Sequence, residues 1–208
     1  PWGTLISCEE FETATDLNGD GYLDLGWSVE VDPVTRRVVD HDGDSLPDKL
    51  WSLGHFKHEN AAIAQDSITV YEGEDNSING FLFKFVADEK TKLGSGELYV
   101  LQQVGNTGQW LQVPNTSQYD RNRTSFLADS LGGTRFYRIE DVEIGPDGKV
   151  YFASTAMGRV YRFSDNGMHI TQFETFIENQ VFPIQHRNGQ TNVLFSYPDN
   201  MAFDGEGN

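Results

Sequence analysis

Apolar and polar residues alternate in short runs along most of this chain, and glycine- or aspartate-rich turns such as SDNG at 164–167 and GPDGK at 145–149 separate them. A period of two puts successive side chains on opposite faces of an extended strand, and tight turn signals between such runs mark hairpins. The pattern predicts strands at 4–7, 27–31, 67–71, 81–86, 97–103 and 109–113, then at 141–144, 150–154, 159–163, 170–176 and 192–196. Long amphipathic helices are hard to find. Hairpins that recur in sets without helical crossovers make this an all-β chain and favour a β-propeller over a sandwich.

Three segments repeat one motif. In HENAAIA, IEDVEIG and PDNMAFD, the pairs Glu59-Asn60, Glu140-Asp141 and Asp199-Asn200 each open a short apolar run, with Ile63, Ile144 and Phe203 at the same offset. The first acids stand 81 and 59 residues apart, more than the roughly 40 to 50 residues of a plain propeller blade, so insertions separate the repeats. Strands that begin near a propeller's central channel would bring these acids together on the axis.

Composition agrees. The chain has 208 residues with 14 Phe, 8 Tyr, 4 Trp and 21 Gly, a profile of aromatic strands and glycine turns that suits a single domain spanning 1–208. The formal net charge is -17, from 32 acids against 15 bases. Such an excess disfavours nucleic acid as a partner and leaves cation binding as its natural use. Cys8 is the single cysteine, so no internal disulfide forms. No apolar run of about 18 residues is present, and no membrane-spanning segment is expected. The abrupt ends read as those of a fragment of a longer propeller, about three to four blades of it, whose open edges need the remainder of the propeller or a partner subunit to cover them.

Two aspartate-rich loops fall in an insertion at about residues 12–48. DLNGDGYLD places Asp16, Asn18 and Asp20 at positions 1, 3 and 5 of an EF-hand-like loop, with Gly21 at the sharp turn and Asp24 at position 9. Position 12 is Trp27, so the bidentate glutamate of an EF-hand is missing. DHDGDSLPD offers Asp40, Asp42, Asp44 and Asp48, in the manner of thrombospondin-type calcium repeats. Either loop also reads as a solvated turn, since Asp favours turns.

Residues 54–62, GHFKHENAA, place His55, Lys57 and Glu59 on one face if extended, with Phe56 and His58 on the other. The two histidines stand three apart on a strand, not four apart on a helix as a zinc-protease motif requires. Cys8 precedes Glu9 and Glu10; the neighbouring charges disfavour its thiolate until a bound metal deprotonates it. A GxSxG elbow, a P-loop and a dinucleotide fingerprint are all absent, so any catalysis is metal-assisted. The triplets at 115–117 and 122–124 match a glycosylation acceptor.

Taken together, several segments resemble the PhoX family of metal-dependent alkaline phosphatases. They are PWGT with CEE at 1–10, GWSVEVDP at 26–33, GHFKHE at 54–59, VYEGED with FLFKFV at 70–86, GELYV at 96–100, YRIEDVEIGPDGKVYFAST at 137–155 and YPDNMAFDGEGN at 197–208. The resemblance implies a large propeller whose central site holds iron (Fe3+) and calcium (Ca2+) and hydrolyses phosphate monoesters. It makes Cys8 an iron-binding thiolate, Glu9, Glu59 and Glu140 carboxylate ligands, and Asp199 a further ligand. Arg138 would contact the substrate phosphate, with Asn200 assisting. Ile139 stands where the family usually has proline. Two other readings are a non-catalytic, calcium-stabilised propeller for adhesion or assembly and a calcium-dependent lactonase-type propeller. Calcium loops of this kind suit the millimolar calcium found outside cells, so a secreted, periplasmic or cell-surface protein is expected.

Overall fold

The computed structural model describes residues 2–182 and 192–204. Its first strands are β1 (Leu5–Cys8), β2 (Ser28–Asp32) and β3 (Arg37–Val38), which form a small antiparallel sheet. Next come β4 (His58–Ile63), β5 (Thr69–Glu74), β6 (Leu82–Glu89), β7 (Lys92–Val104) and β8 (Thr107–Val113), each antiparallel to the one before. Two helices, α1 (Gln118–Arg121) and α2 (Thr124–Leu131), lead to a second meander of β9 (Ile139–Ile144), β10 (Val150–Ser154), β11 (Arg159–Asp165) and β12 (His169–Glu178). Finally β13 (Gln180–Phe182) pairs with β14 (Asn192–Phe195).

The two meanders form one sheet of nine strands, ordered β4-β5-β6-β7-β8-β12-β11-β10-β9. The outer strands of each join at His169↔Gln109 and Ile170↔Gly108, while the two end strands, β4 and β9, pack beside each other. The sheet therefore curls back on itself and brings the starts of β4 and β9 together.

Strand β6 shows how the residues specify this. Phe81, Phe83 and Phe85 point into one core with Leu50, Leu53, Val100 and Val113, and Leu82 points into the other with Phe152, Tyr161 and Phe163. Both faces of the strand are covered, so alternation survives as a choice between two cores and not between core and water. Lys84 shares the Leu82 face and is buried. Its ammonium lies 2.7 Å from Asp165 Oδ2 and 2.7 Å from the Gly167 carbonyl. Tyr71 Oη donates to the same Asp165 oxygen at 2.6 Å, and Trp110 Nε1 and the Gly167 N–H donate to Oδ1 at 3.3 and 3.0 Å. One carboxylate thus gathers groups from β5, β6 and β8 onto the end of β11, tying the meanders together.

Strands 150–154 and 159–163 were expected close to their observed bounds, while β7 runs well beyond 97–103 at its start and β3 and β13 were not foreseen. The helices also lie outside the expected pattern. They are four and eight residues long, too short to show a periodic apolar stripe. Local signals define them: Ser117 accepts the Asp120 N–H at the first N-cap, and Gly132, at φ 85°, closes α2. The Asn115 amide is buried and donates to the Ser52 and Gly96 carbonyls, and Asn122 bonds to Gly21 and Leu23. Both asparagines of the glycosylation triplets are therefore occupied in holding the fold.

Removing Asp165 leaves a buried ammonium without its counter-charge. Asp165→Ala is expected to lower the unfolding free energy by about 3–5 kcal/mol in a urea titration, and the apolar pair Lys84→Met with Asp165→Leu by much less. Equal losses would contradict a dominant charge pair.

Candidate metal centre

The repeated acids sit at interruptions of the sheet ladder. In β4, His58 pairs with Glu74 but Ala61 with Glu72, so one extra residue is accommodated at Glu59-Asn60. In β9, Ile139 pairs with Ser154 but Asp141 with Ala153, so the extra residue falls at Glu140. A bulge of this kind turns a side chain away from the regular alternation, and here it occurs at equivalent positions of two repeats.

The two members of each pair then do different things. The second members link the repeats: Asn60 Nδ2 donates to Asp141 Oδ1 and, at 2.9 Å, to the Val142 carbonyl, while Asp141 Oδ2 accepts the Met201 N–H. Burial pushes the Asp141 carboxyl upward, against these hydrogen bonds. The first members face a common space. Carboxylate oxygens of Glu59, Glu140 and Asp75, the last just beyond β5, lie within 4.8 Å of one another.

Backbone geometry fixes Arg138 beside them. Tyr137 and Arg138 take left-handed φ values of 55° and 50°, held by N–H bonds from Phe136 to Gly80 O, Tyr137 to Asn79 O and Arg138 to Asn76 O. A Cβ on Gly80 would meet Tyr137 N at 2.6 Å, and one on Gly73 would meet Ile139 Cγ2 at 2.4 Å. Ile139 is fully buried, so it is accommodated by the bare glycine opposite. Arg138 Nε donates to Asp75 Oδ1 at 2.9 Å, and Nη2 lies 2.5 Å from Glu140 Oε1. That second approach lacks hydrogen-bond geometry, and among the described residues no N–H group donates to the buried Glu140 Oε1.

One guanidinium does not balance three carboxylates. Burial first, then Glu10, Glu140 and Asp75, push the Glu59 carboxyl up to about 8. Glu140 is also raised, by burial and Asp75, with Arg138 opposing. A set of crowded oxygen donors with an unfilled buried acceptor fits a hard cation.

Cys8 lies outside this group of three but within electrostatic reach of it. Burial, then Glu72, push its thiol up to about 12, with Glu59 and Glu10 adding and a Ser28 hydrogen bond opposing. Glu9 is directed elsewhere: Lys49 Nζ meets it at 2.7 Å, and Oε2 accepts the Gly26 and Trp27 N–H groups. It closes a turn, and the neighbouring Glu10 is the acid that acts on Glu59 and Cys8. Asp199 and Asn200 are exposed; Asn200 Nδ2 donates to Asp199 Oδ1 at 3.2 Å, and the Asp199 charge acts on Glu140 and Asp141.

Asp40, Asp42 and Asp48 form a second acidic group within 4.8 Å, near the surface. Their oxygens also accept backbone N–H groups: Asp40 from Gly43 and Ser45, Asp48 from His41 and Asp42, while Asp44 accepts from Leu46. The first loop is built alike, with Asp16 accepting from Gly19 and Gly21, Asp20 from Tyr22, Asp24 from Leu17, and Asn18 donating to Asp20. Its three aspartates, Asp16, Asp20 and Asp24, do not form a comparable acidic group among the described residues. Asp75 and Glu10 carry none of the repeat's spacing, and position alone reveals them.

These features define an all-β protein with a carboxylate- and guanidinium-lined centre suited to cations and an oxyanion. The chain belongs to the alkaline phosphatase PhoX family, whose family model matches residues 1–208. It is similar in fold to Pseudomonas fluorescens PhoX, solved in complex with vanadate, a transition state analogue, with a TM-score of 0.70 and 23% identity over 99% of this chain and 52% of that one. The chain thus spans about half the length of that protein. A Bacteroides uniformis structure assigned provisionally to the 6-phosphogluconolactonases overlaps with a TM-score of only 0.30, at 11% identity over 98% and 69% of the two chains. No curated protein matches.

The raised Glu59 carboxyl gives a pH dependence. The folded state holds its proton more tightly than the unfolded chain, so this contribution to stability is complete below 4.5 and lost as pH rises to about 8. Chelator-treated protein should therefore melt lower at pH 9 than at pH 6, and Glu59→Gln should flatten that difference. An unchanged slope in Glu59→Gln contradicts the assignment.

Proposed function

We propose that the protein containing this chain hydrolyses phosphate monoesters at a metal centre on the axis of a β-propeller. The observation that carries this is the convergence of Glu59, Asp75, Glu140 and Arg138 where β4 and β9 meet. The two meanders are read as adjacent blades of an incomplete propeller of about three to four blades, with the remainder of the protein or a partner subunit covering the open edges.

In this reading Glu59, Asp75, Glu140 and Asp199 hold calcium and Cys8 holds iron, with Glu10 better placed to assist than Glu9. Bound cations would stabilise charge on the phosphoryl oxygens. Arg138, pinned by its backbone hydrogen bonds, presents a planar donor fork that matches a phosphate edge. Its contacts with Asp75 and Glu140 orient it beside the carboxylates that would hold a cation. Asn200 offers an amide beside Asp199. The aspartate loops, Asp16 to Asp24 and Asp40 to Asp48, take calcium as structural clamps on the 12–48 insertion, which suits an exported protein at millimolar calcium. Among the described residues no helix is long and apolar enough to cross a membrane.

Assays on the full-length protein with a phosphate monoester, after chelation and restoration of iron and calcium, test the activity. Arg138→Ala and Glu140→Gln should each reduce kcat by about 10²–10³ in protein that remains folded. A metal-replete protein that cleaves no phosphoester rejects the proposal in favour of a binding or assembly role. Separately, Asp40→Ala with Asp48→Ala should remove one bound calcium and its thermal stabilisation without changing kcat. Unchanged calcium stoichiometry would remove the clamp from that loop.

A further inference from the structure

A cavity of about 390 Å³ opens at the start of α2, outside the repeat. Its walls include Glu12, Leu23, His55, Arg123, Ser125 and Phe126. Two threads join it to the metal centre. On one wall, Ser125 Oγ donates to Glu74 Oε1 at 2.8 Å, one residue before Asp75, and accepts from Asn79 Nδ2 at 3.4 Å. The Asn79 carbonyl in turn accepts the Tyr137 N–H, next to Arg138. Along the other wall, the chain runs from Glu10, whose charge acts on Glu59, to Glu12, whose charge acts on Glu74. The cavity thus adjoins the place where Arg138 would hold a phosphoryl group, within reach of the alcohol portion of the same ester.

Two charges of opposite sign are left unpaired in it. Among the described residues, the half-buried Glu12 carboxylate takes part in no hydrogen bond or ion pair. Arg123, also half-buried, meets no carboxylate. Its guanidinium carbon lies 4.6 and 4.4 Å from the ring centres of Tyr119 and Phe126, and Nη1 donates to Tyr119 Oη. Two rings and one hydrogen bond hold this cation in place without neutralising it, so little further ordering is needed when an anion meets it. The other polar walls are committed to the fold, with His55 Nε2 2.8 Å from the Leu25 carbonyl and the Ser125 hydroxyl on Glu74. Leu23 and Phe126 supply apolar surface between the charges.

We propose that this cavity receives the alcohol portion of the substrate, and that this portion is a zwitterion with an ammonium facing Glu12 and a carboxylate facing Arg123. The class so defined is the phosphate monoesters of hydroxylated amino acids. This rests on the reading of the Arg138 centre as a phosphomonoesterase. Hydrolysis of such an ester consumes one water, breaks the phosphorus–oxygen ester bond and releases inorganic phosphate and the free hydroxy amino acid. An alcohol portion with one charge or none leaves a partly desolvated wall charge unmatched, and that mismatch is the source of discrimination.

The test compares phenyl phosphate, O-phosphotyrosine, its N-acetyl derivative and its carboxamide as substrates of the metal-loaded full-length protein. All four release a phenol, and the two blocked derivatives each lack one charge. kcat/KM for O-phosphotyrosine should exceed that for each blocked derivative by about 5–10-fold, the size of one charge-assisted contact at a half-buried site. Glu12→Gln should remove the penalty for N-acetylation and keep that for amidation, and Arg123→Gln should do the reverse, a crossed pattern that a general loss of packing does not produce. A wild type that cleaves phenyl phosphate but treats O-phosphotyrosine and either blocked derivative alike overturns the subsite while leaving the phosphatase reading standing. A protein that cleaves none of the four overturns the phosphatase reading and the substrate class with it. The wild-type comparison needs no substitution, so a variant that fails to fold leaves the outcome decided.

Discussion

Like charges held close together resist folding, and this chain holds Glu59, Asp75 and Glu140 within 4.8 Å of one another with Arg138 as the adjacent cation. Burial, with the charges of Glu10, Glu140 and Asp75 adding to it, pushes the Glu59 carboxyl up to about 8. The arrangement persists because it is built from backbone that cannot easily relax. Bulges at Glu59-Asn60 and Glu140 set the side-chain directions, and the Asn60–Asp141–Met201 chain locks three segments in one register. Left-handed backbone at Tyr137 and Arg138 and the Glu140 oxygen that no N–H group reaches with hydrogen-bond geometry fall in the same few residues, the features on which the proposed cation site rests.

The same division of labour runs outward. The Asp165 cluster ties β5, β6 and β8 of the first meander to the end of β11 in the second, while the repelling charges sit on and beside β4 and β9. Gly73 and Gly80 exist as gaps: one receives Ile139 and the other the turned backbone of Tyr137, and both serve the placement of Arg138. At Cys8, a small sheet and the main sheet meet through Ser28, His58 and Glu72.

Much of this was legible in the residues. Strands 150–154 and 159–163 follow from alternation, and the repeat's spacing pointed to a meeting of Glu59 with Glu140, though its third acid, Asp199, stands exposed outside that group. Asp75 was not, because it lies in the turn after VYEGE, where no periodicity marks it and only the fold brings it to Glu59. The choice between Glu9 and Glu10 also depends on a tertiary partner, since Lys49 claims Glu9 from 40 positions away. The His58–Glu72 pair was hidden for the same reason: both residues look like ordinary members of strands until burial removes water from around them. The short helices at 118–131 depended on a serine cap and a left-handed glycine, which a search for apolar stripes does not register.

The most direct examination of the central claim is an anomalous-scattering map of crystals of the metal-loaded full-length protein. The account requires a cation peak bounded by the carboxylates of Glu59, Asp75 and Glu140, at oxygen distances of about 2.3–2.6 Å if it is calcium. Peaks confined to the aspartate loops, with the three carboxylates still facing one another around Arg138 alone, would contradict it.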